Sequence, residues 1–195
     1  MQDVASELSA SGANVNVGWE WIEAGLLFPY VKSPLVYKCP ADTGSVNSFG
    51  ILPPHVRSMS MNAWIGTPPA DAWANDFRLY RKETDLTVPG PINTWLLMDE
   101  NPFSINDSWM VEDPGTDKWI DGPASYHDRA CGITFTDGHA QIKQWRDQAI
   151  LSPAIVDNWP SRTPVAPLQN PPQDLLWLTS RSTATPTQIS FDGPP

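Results

Sequence analysis

The sequence contains few charged residues and no long apolar run. Only 17% of its 195 residues are charged, and its 22 acidic and 12 basic side chains give a formal net charge of −10. Nucleic-acid binding depends largely on Lys and Arg that displace counterions from phosphates, so the acidic balance and the absence of a basic cluster exclude a DNA or RNA partner. No apolar stretch approaches the roughly 20 residues that a bilayer-spanning helix needs, and we expect no membrane segment in this chain.

The sequence is also poor in cysteine. It has two, Cys39 and Cys131, and neither belongs to a Cys-x-x-Cys motif. In an oxidising compartment a Cys39–Cys131 disulfide would close a loop of roughly ninety residues and contribute about 4 to 5 kcal/mol. The alternative is a pair of buried thiols. A nucleophile or zinc-ligand role is disfavoured because no His partner is evident from the spacing.

Proline, glycine and tryptophan are abundant. The chain has 21 Pro, 12 Gly and 10 Trp. With so few charges, this composition is typical of a loop-rich extracellular module that contains a sheet. We expect one globular domain over residues 19–180, between a flexible N-terminal segment, 1–18, and a flexible C-terminal tail, 181–195.

The apolar pattern predicts an α+β fold. A helix is expected within 19–31, shortened by Pro29. Strands are expected at 56–65 and at 94–98, and the second is central because it is apolar on both faces. Together with a hairpin expected within 131–145, the pattern predicts a short N-terminal helix packed on an antiparallel sheet of about four strands with long loops.

The strongest local signal is Asp137-Gly138 between two alternating segments, 131–136 and 139–145. This dipeptide is typical of a two-residue type I′ hairpin turn. Such a turn would pair Phe135 with Ala140, and Ile133 with Ile142, on the core side.

Short motifs occur in an order that resembles a known family. They are Tyr37–Asp42, Arg57–Asn62, Leu97–Glu100, Pro123–His127 and Phe135–Ala140. The succession resembles the type II secretion pseudopilin-like proteins, which carry a prepilin-type N-terminal cleavage and methylation segment. Members share a His followed by nine residues and then Asp-Gly, which His127 and Asp137-Gly138 match, and 174–178 is similar to the closing segment.

The resemblance implies the outward-facing globular part of a pilin-like subunit. Such a domain would be extracellular or periplasmic, and its loops would bind other pilin-like subunits or a secreted protein. The long apolar helix that begins family members has no counterpart in residues 1–18. The resemblance therefore extends to the globular part only.

Acidic residues and histidines suggest a metal or catalytic site. Asp99 and Glu100 end a central strand, Asp137 lies in the hairpin turn and His139 begins the return strand, so we expect several of these groups to converge at one end of the sheet. Carboxylates with loop oxygens suit calcium, whereas two His with a carboxylate suit zinc or another transition metal. Purely structural roles are the alternative. The candidate metal ligands are Asp99, Glu100, Asp107, Asp137, His127 and His139.

Loop tryptophans support a second function, a carbohydrate-active protein on a pilin-like scaffold. Aromatic faces stack on sugar rings, and a polysaccharide is then the partner, bound by a glycan binder or cleaved by a small glycoside hydrolase. Catalysis would fall to Asp99, Glu100, Asp137 and His127, although adjacent strand residues such as Asp99 and Glu100 point to opposite faces. The tryptophans expected to be exposed are Trp73, Trp109, Trp119 and Trp159, and those expected in the core are Trp64, Trp95 and Trp145.

Overall fold

The computed structural model of the protein describes residues 19–43, 56–66, 76–102, 104–105, 108–151 and 166–194. Three predicted site residues, Trp73, Asp107 and Trp159, lie outside these ranges. The helices are α1 (Trp19–Glu23), α2 (Phe28–Val31), α3 (Gln148–Leu151) and α4 (Gln173–Ser182). The strands are β1 (Met59–Asn62), β2 (Trp95–Asp99), β3 (Trp109–Met110), β4 (Ala130–Phe135) and β5 (Ala140–Gln144). Short 3₁₀ turns lie at Pro34–Tyr37 and Glu83–Asp85.

The strands form one mixed sheet in the order β3-β1-β2-β4-β5. Strand β2 is central as predicted, and it pairs antiparallel with both β1 and β4. The expectation of a wholly antiparallel sheet of about four strands is corrected by β3. This strand pairs parallel with β1, with Trp109 opposite Met61 and Met110 opposite Asn62. The α+β class is confirmed.

The core lies between the sheet and α4. Side chains of Trp95, Met98, Ile133 and Phe135 project from β2 and β4 to the same side, where they meet buried residues of α4 in one apolar cluster. The indole of Trp145 packs edge-on against that of Trp177 from α4, with ring centroids 6.2 Å apart. The three tryptophans expected in the core, Trp64, Trp95 and Trp145, are all buried.

The hairpin forms at Asp137-Gly138, but its loop has three residues and not two. The N–H of Phe135 donates to the carbonyl of His139, and the N–H of Gly138 donates to the carbonyl of Phe135. Gly138 has φ +92°, as expected for a type I turn followed by a left-handed glycine. The register is therefore one residue from the prediction, and Gln141, not Ile142, lies opposite Ile133. The side chain of Ile142 is consequently 67% exposed.

The helix that covers the sheet comes from the C-terminal part of the chain. In α1, Ile22 is buried, whereas Leu26 and Leu27 after it are exposed, contrary to the single apolar face expected of them. Helix α4 runs to Ser182, and the residues from Arg181 to Ala184 are buried. A boundary between domain and tail at residue 180 therefore falls inside this helix. None of the helices in the described residues is long and apolar enough to cross a membrane.

Candidate functional site

Three side chains from distant parts of the sequence converge beside β2. One ligand atom from each of Cys39, Asp99 and His127 lies within 4.8 Å of the other two. The Cys39 Sγ and His127 Nε2 atoms are 3.4 Å apart. Asp99 is buried, Cys39 is half-buried and His127 is exposed, so the cluster opens to solvent on the histidine side.

A hydrogen-bonded chain through Ser58 sets the position of Cys39 against Asp99. Ser58 Oγ accepts the N–H of Cys39 at 2.7 Å and donates to Asp99 Oδ1 at 2.9 Å. The N–H of Ser58 donates to the carbonyl of Tyr37 at 2.9 Å, which joins the segment before Cys39 to the segment before β1. Ser58 is fully buried, so this chain is shielded from water.

A tight turn positions His127. Its N–H donates to the carbonyl of Ala130, and the two residues between, Asp128 and Arg129, both have positive φ. Positive φ is unfavourable for a residue such as arginine, so this turn is held by its surroundings. Trp145 supplies part of that support, because its N–H donates to the carbonyl of Arg129 at 2.7 Å.

Burial makes the site unfavourable for a lone anion. Desolvation raises the pKa of Asp99, and the hydrogen bond from Ser58, the amide of Gly132 and the charge of His127 offset this only in part. The pKa of Tyr126 is also raised, first by burial and then by the negative charges of Asp42 and Asp99. A cation bound at Asp99 would offset the cost of burying its negative charge.

The donor set is that of a transition metal and not of calcium. Thiolate, imidazole and carboxylate together suit Zn²⁺ or a similar ion, whereas calcium takes oxygen ligands only. In tetrahedral zinc sites, bond lengths of about 2.3 Å to sulfur and 2.0 Å to nitrogen place those two atoms about 3.5 Å apart. The 3.4 Å between Cys39 Sγ and His127 Nε2 is close to that separation. Three protein ligands leave one tetrahedral position for water or another ligand.

The predicted convergence of acids and histidines at one end of the sheet holds for Asp99 and His127 and fails for Asp137 and His139. Because β2 and β4 are antiparallel, the hairpin at the end of β4 lies beside Trp95, at the opposite end of β2 from Asp99. Asp137 and His139 are therefore remote from Asp99, and they pair with each other, with Asp137 Oδ1 2.6 Å from His139 Nδ1. The hydrogen bond from the backbone amide of His139, and then that from its imidazole, lower the pKa of Asp137.

Glu100 also lies apart from the cluster, and its carboxylate accepts a hydrogen bond from Ser104 at 2.9 Å. Asp99 and Glu100 are both buried. The glycosidase pair proposed among Asp99, Glu100 and Asp137 is thus not assembled in one open cleft.

The Cys39–Cys131 disulfide is not formed, and both thiols are free. Cys131 projects into the apolar core under α4, while Cys39 contacts His127. Burial raises the pKa of the Cys131 thiol. Of the two alternatives, a disulfide or two buried thiols, the second holds for Cys131 only, because Cys39 is half-buried and contacts a histidine 88 residues away.

Of the tryptophans proposed to bind glycans, Trp119 is fully buried, which corrects its expected exposure. Its indole N–H donates to the buried Asp147 at 2.9 Å. Trp109 is half-buried on β3.

The sequence analysis did not identify Cys39 as a member of the cluster or Ser58 as the residue that links it to Asp99. The available signal was the set of short motifs, since three of them, Tyr37–Asp42, Leu97–Glu100 and Pro123–His127, each contribute one member of the cluster. Comparisons with known proteins add no evidence about the site, because no family model, no curated protein and no solved structure matches the chain.

Proposed function

We propose that this protein is an extracytoplasmic, pilin-like domain that binds a transition-metal ion, with Zn²⁺ the best fit, through Cys39, Asp99 and His127. The convergence of the three ligand atoms within 4.8 Å carries the proposal. The raised pKa of Asp99 supports it, because a buried carboxylate beside a thiol gains from a bound cation.

The pilin-like part of the proposal is supported by the order of the short motifs. In this proposal the ion holds the loops before β1 and β4 against the end of β2. The loops so held are the surface that would bind another pilin-like subunit or a secreted protein.

Metal content tests the metal site directly. Protein purified without chelator, then dialysed against equimolar zinc and calcium, is analysed for both elements and melted with and without EDTA. We expect about one zinc per chain, no calcium, and a lower Tm after chelation.

The variants Cys39→Ser and His127→Gln should each weaken zinc binding about tenfold or more. His139→Gln is the matched control, since His139 is an exposed histidine paired with Asp137 at the other end of the sheet. Zinc binding that is absent from the native chain, or lost equally in His139→Gln, would contradict the proposal.

The thiol–imidazole contact favours a second candidate function, a cysteine nucleophile activated by His127. Its basis is the 3.4 Å between Sγ and Nε2, which is within reach for proton transfer from sulfur. Alkylation of Cys39 as a function of pH distinguishes the two. An activated thiol reacts well below pH 8 in the metal-free protein, whereas an ordinary thiol does not.

A further inference from the structure

A cleft with polar residues in its walls lies at the hairpin end of the sheet, away from the cluster of Cys39, Asp99 and His127. It has a volume of about 350 Å³ and lies between the β4–β5 hairpin, the residues before β2 and the last turns of α4. Its polar lining includes Asn93, Asp137, His139, Gln141 and Arg181. Asp99 is at the opposite end of β2, so the two sites are separate.

Arg181 in this cleft is a buried cation with no acidic partner among the described residues. The residue is 7% exposed. Its guanidinium lies between two aromatic rings, 4.4 Å from the Trp177 centroid and 4.9 Å from that of Phe191. Within the described part of the chain its guanidinium makes one hydrogen bond, from Nη1 to the carbonyl of Trp177 at 3.2 Å, so most of its five N–H donors are left for a ligand.

This lack of pairing is unusual in a chain that has 22 acidic and 12 basic residues. Desolvation lowers the pKa of Arg181 to about 10, and no carboxylate in the described ranges offsets this. Buried charges are ordinarily paired, so an anion from outside the chain would supply the missing partner. The aromatic rings on either side hold the guanidinium in place for such an anion.

The other walls of the cleft suit hydroxyl groups. Asp137 and His139 form a hydrogen-bonded pair through His139 Nδ1, which leaves His139 Nε2 without a partner among the described residues. Gln141 projects from β5 on the side of Ile133, and its side chain is exposed. These groups, with Asn93, offer both donors and acceptors within one small space.

We propose that this cleft binds a hexuronate unit, a sugar that carries a carboxylate, with the carboxylate on Arg181 and the hydroxyls on Gln141, Asn93 and the Asp137–His139 pair. The negative charge of Asp137 disfavours a doubly charged phosphate, whereas a singly charged carboxylate meets one guanidinium. The inference goes beyond the metal site and stands independently of it.

Titration calorimetry with trigalacturonate tests the inference, with galactotriose and inorganic phosphate as comparison ligands. We expect trigalacturonate to bind about tenfold or more tightly than either, with an affinity that falls as salt is added. No measurable binding of trigalacturonate, equal binding of the neutral sugar, or phosphate binding as tight as the uronate would each overturn the inference.

Variants assign the binding to this cleft. Arg181→Gln should weaken trigalacturonate binding about tenfold or more, whereas Arg81→Gln, an exposed arginine on another segment, should leave it unchanged. Gln141→Ala changes an exposed side chain, so it tests the same cleft without touching the core, and we expect a roughly threefold loss with an unchanged Tm. His127→Gln should leave sugar binding intact, which separates failure here from failure of the metal site.

Discussion

The carboxylate of Glu112 is the clearest energetic anomaly among individual residues. It is completely buried, and neither oxygen has a hydrogen-bond partner among the described residues. Desolvation raises its pKa well above the ordinary 4.5, and the charges of Asp121, Glu100 and Asp113 raise it further. The Ile120 amide lowers the pKa in part, although it does not reach hydrogen-bond geometry with either oxygen.

The substitution Glu112→Met is expected to stabilise the protein at neutral pH. A carboxyl whose pKa is higher in the folded state takes up a proton on folding, so its penalty is absent below about pH 4.5 and grows as the pH rises through the folded pKa. At pH 7.5, removing the carboxyl should raise the free energy of unfolding by about 1 to 3 kcal/mol, which corresponds to a rise in Tm of roughly 3 to 10 °C. The gain should shrink on acidification.

Thermal melts from pH 4.5 to 8 measure this dependence. Glu83→Gln, an exposed acid in a 3₁₀ turn, is the control for a general effect of removing a negative charge. A gain in Glu112→Met that is the same at every pH would show that the carboxylate is not the cause.

The two cysteines are expected to differ in reactivity because they differ in burial. Cys39 is half-buried beside His127, whereas Cys131 is fully buried and burial raises the pKa of its thiol. Iodoacetamide should alkylate Cys39 at least about tenfold faster than Cys131 in the native protein, and added zinc should slow the Cys39 reaction. Peptide mass spectrometry gives both rates. A non-reducing sample in which neither thiol reacts after denaturation would instead show a disulfide.

At the scale of elements, one hydroxyl joins α4 to the sheet. Ser182 Oγ accepts the indole N–H of Trp95 and donates to the carbonyl of Leu178, both at 2.9 Å. Ser182→Ala leaves the buried indole N–H of Trp95 without this partner, so we expect the free energy of unfolding to fall by about 1 to 3 kcal/mol. Ser180→Ala in the same helix is the control, since Ser180 is half-buried and its hydroxyl donates to the carbonyl of Trp177 within the helix. Equal losses in chemical denaturation would show that the Trp95 contact is not responsible.

The hairpin shows what local sequence can and cannot determine. Asp137-Gly138 predicts a turn because glycine adopts positive φ readily, and the turn forms there. The same dipeptide is compatible with a two-residue or a three-residue loop, and the choice depends on packing of the flanking strands. In the observed register, the imidazole of His139 stacks on the ring of Phe135, with ring centroids 4.2 Å apart.

The turn geometry predicts a graded loss of stability at Gly138. A Cβ added there meets nothing within 4 Å, so the cost of substitution is conformational and not steric. We expect Gly138→Ala to cost about 1 kcal/mol and Gly138→Asn less, because asparagine tolerates the left-handed region. The urea midpoints of unfolding of the two variants check this prediction, and an equal loss of stability in both would contradict it.

At the scale of the whole molecule, the strands and most of the core followed from the sequence, whereas the site followed only in part: Asp99 and His127 were expected as ligands, and Cys39 was not. Alternation and apolar runs identify β1, β2, β4 and β5 because these patterns are local. The site depends on which distant segments meet, and strand order and direction decide that. Once β2 and β4 are antiparallel, Asp99 meets Cys39 and His127 and is separated from Asp137 by the length of the strand.

The C-terminal residues beyond 180 are expected to be part of the fold. Arg78 donates from Nε to the carbonyl of Thr185 and from Nη2 to that of Pro186, both at 3.1 Å, and the Arg78 amide donates to Ala184. A chain ending at residue 180 loses these contacts and the Ser182–Trp95 bond, so it should melt at least about 10 °C lower or fail to fold. A chain ending at residue 190 keeps all of them and should melt within a few degrees of the full chain. If both truncations melted alike, the residues from 181 to 190 would add nothing to the stability of the domain.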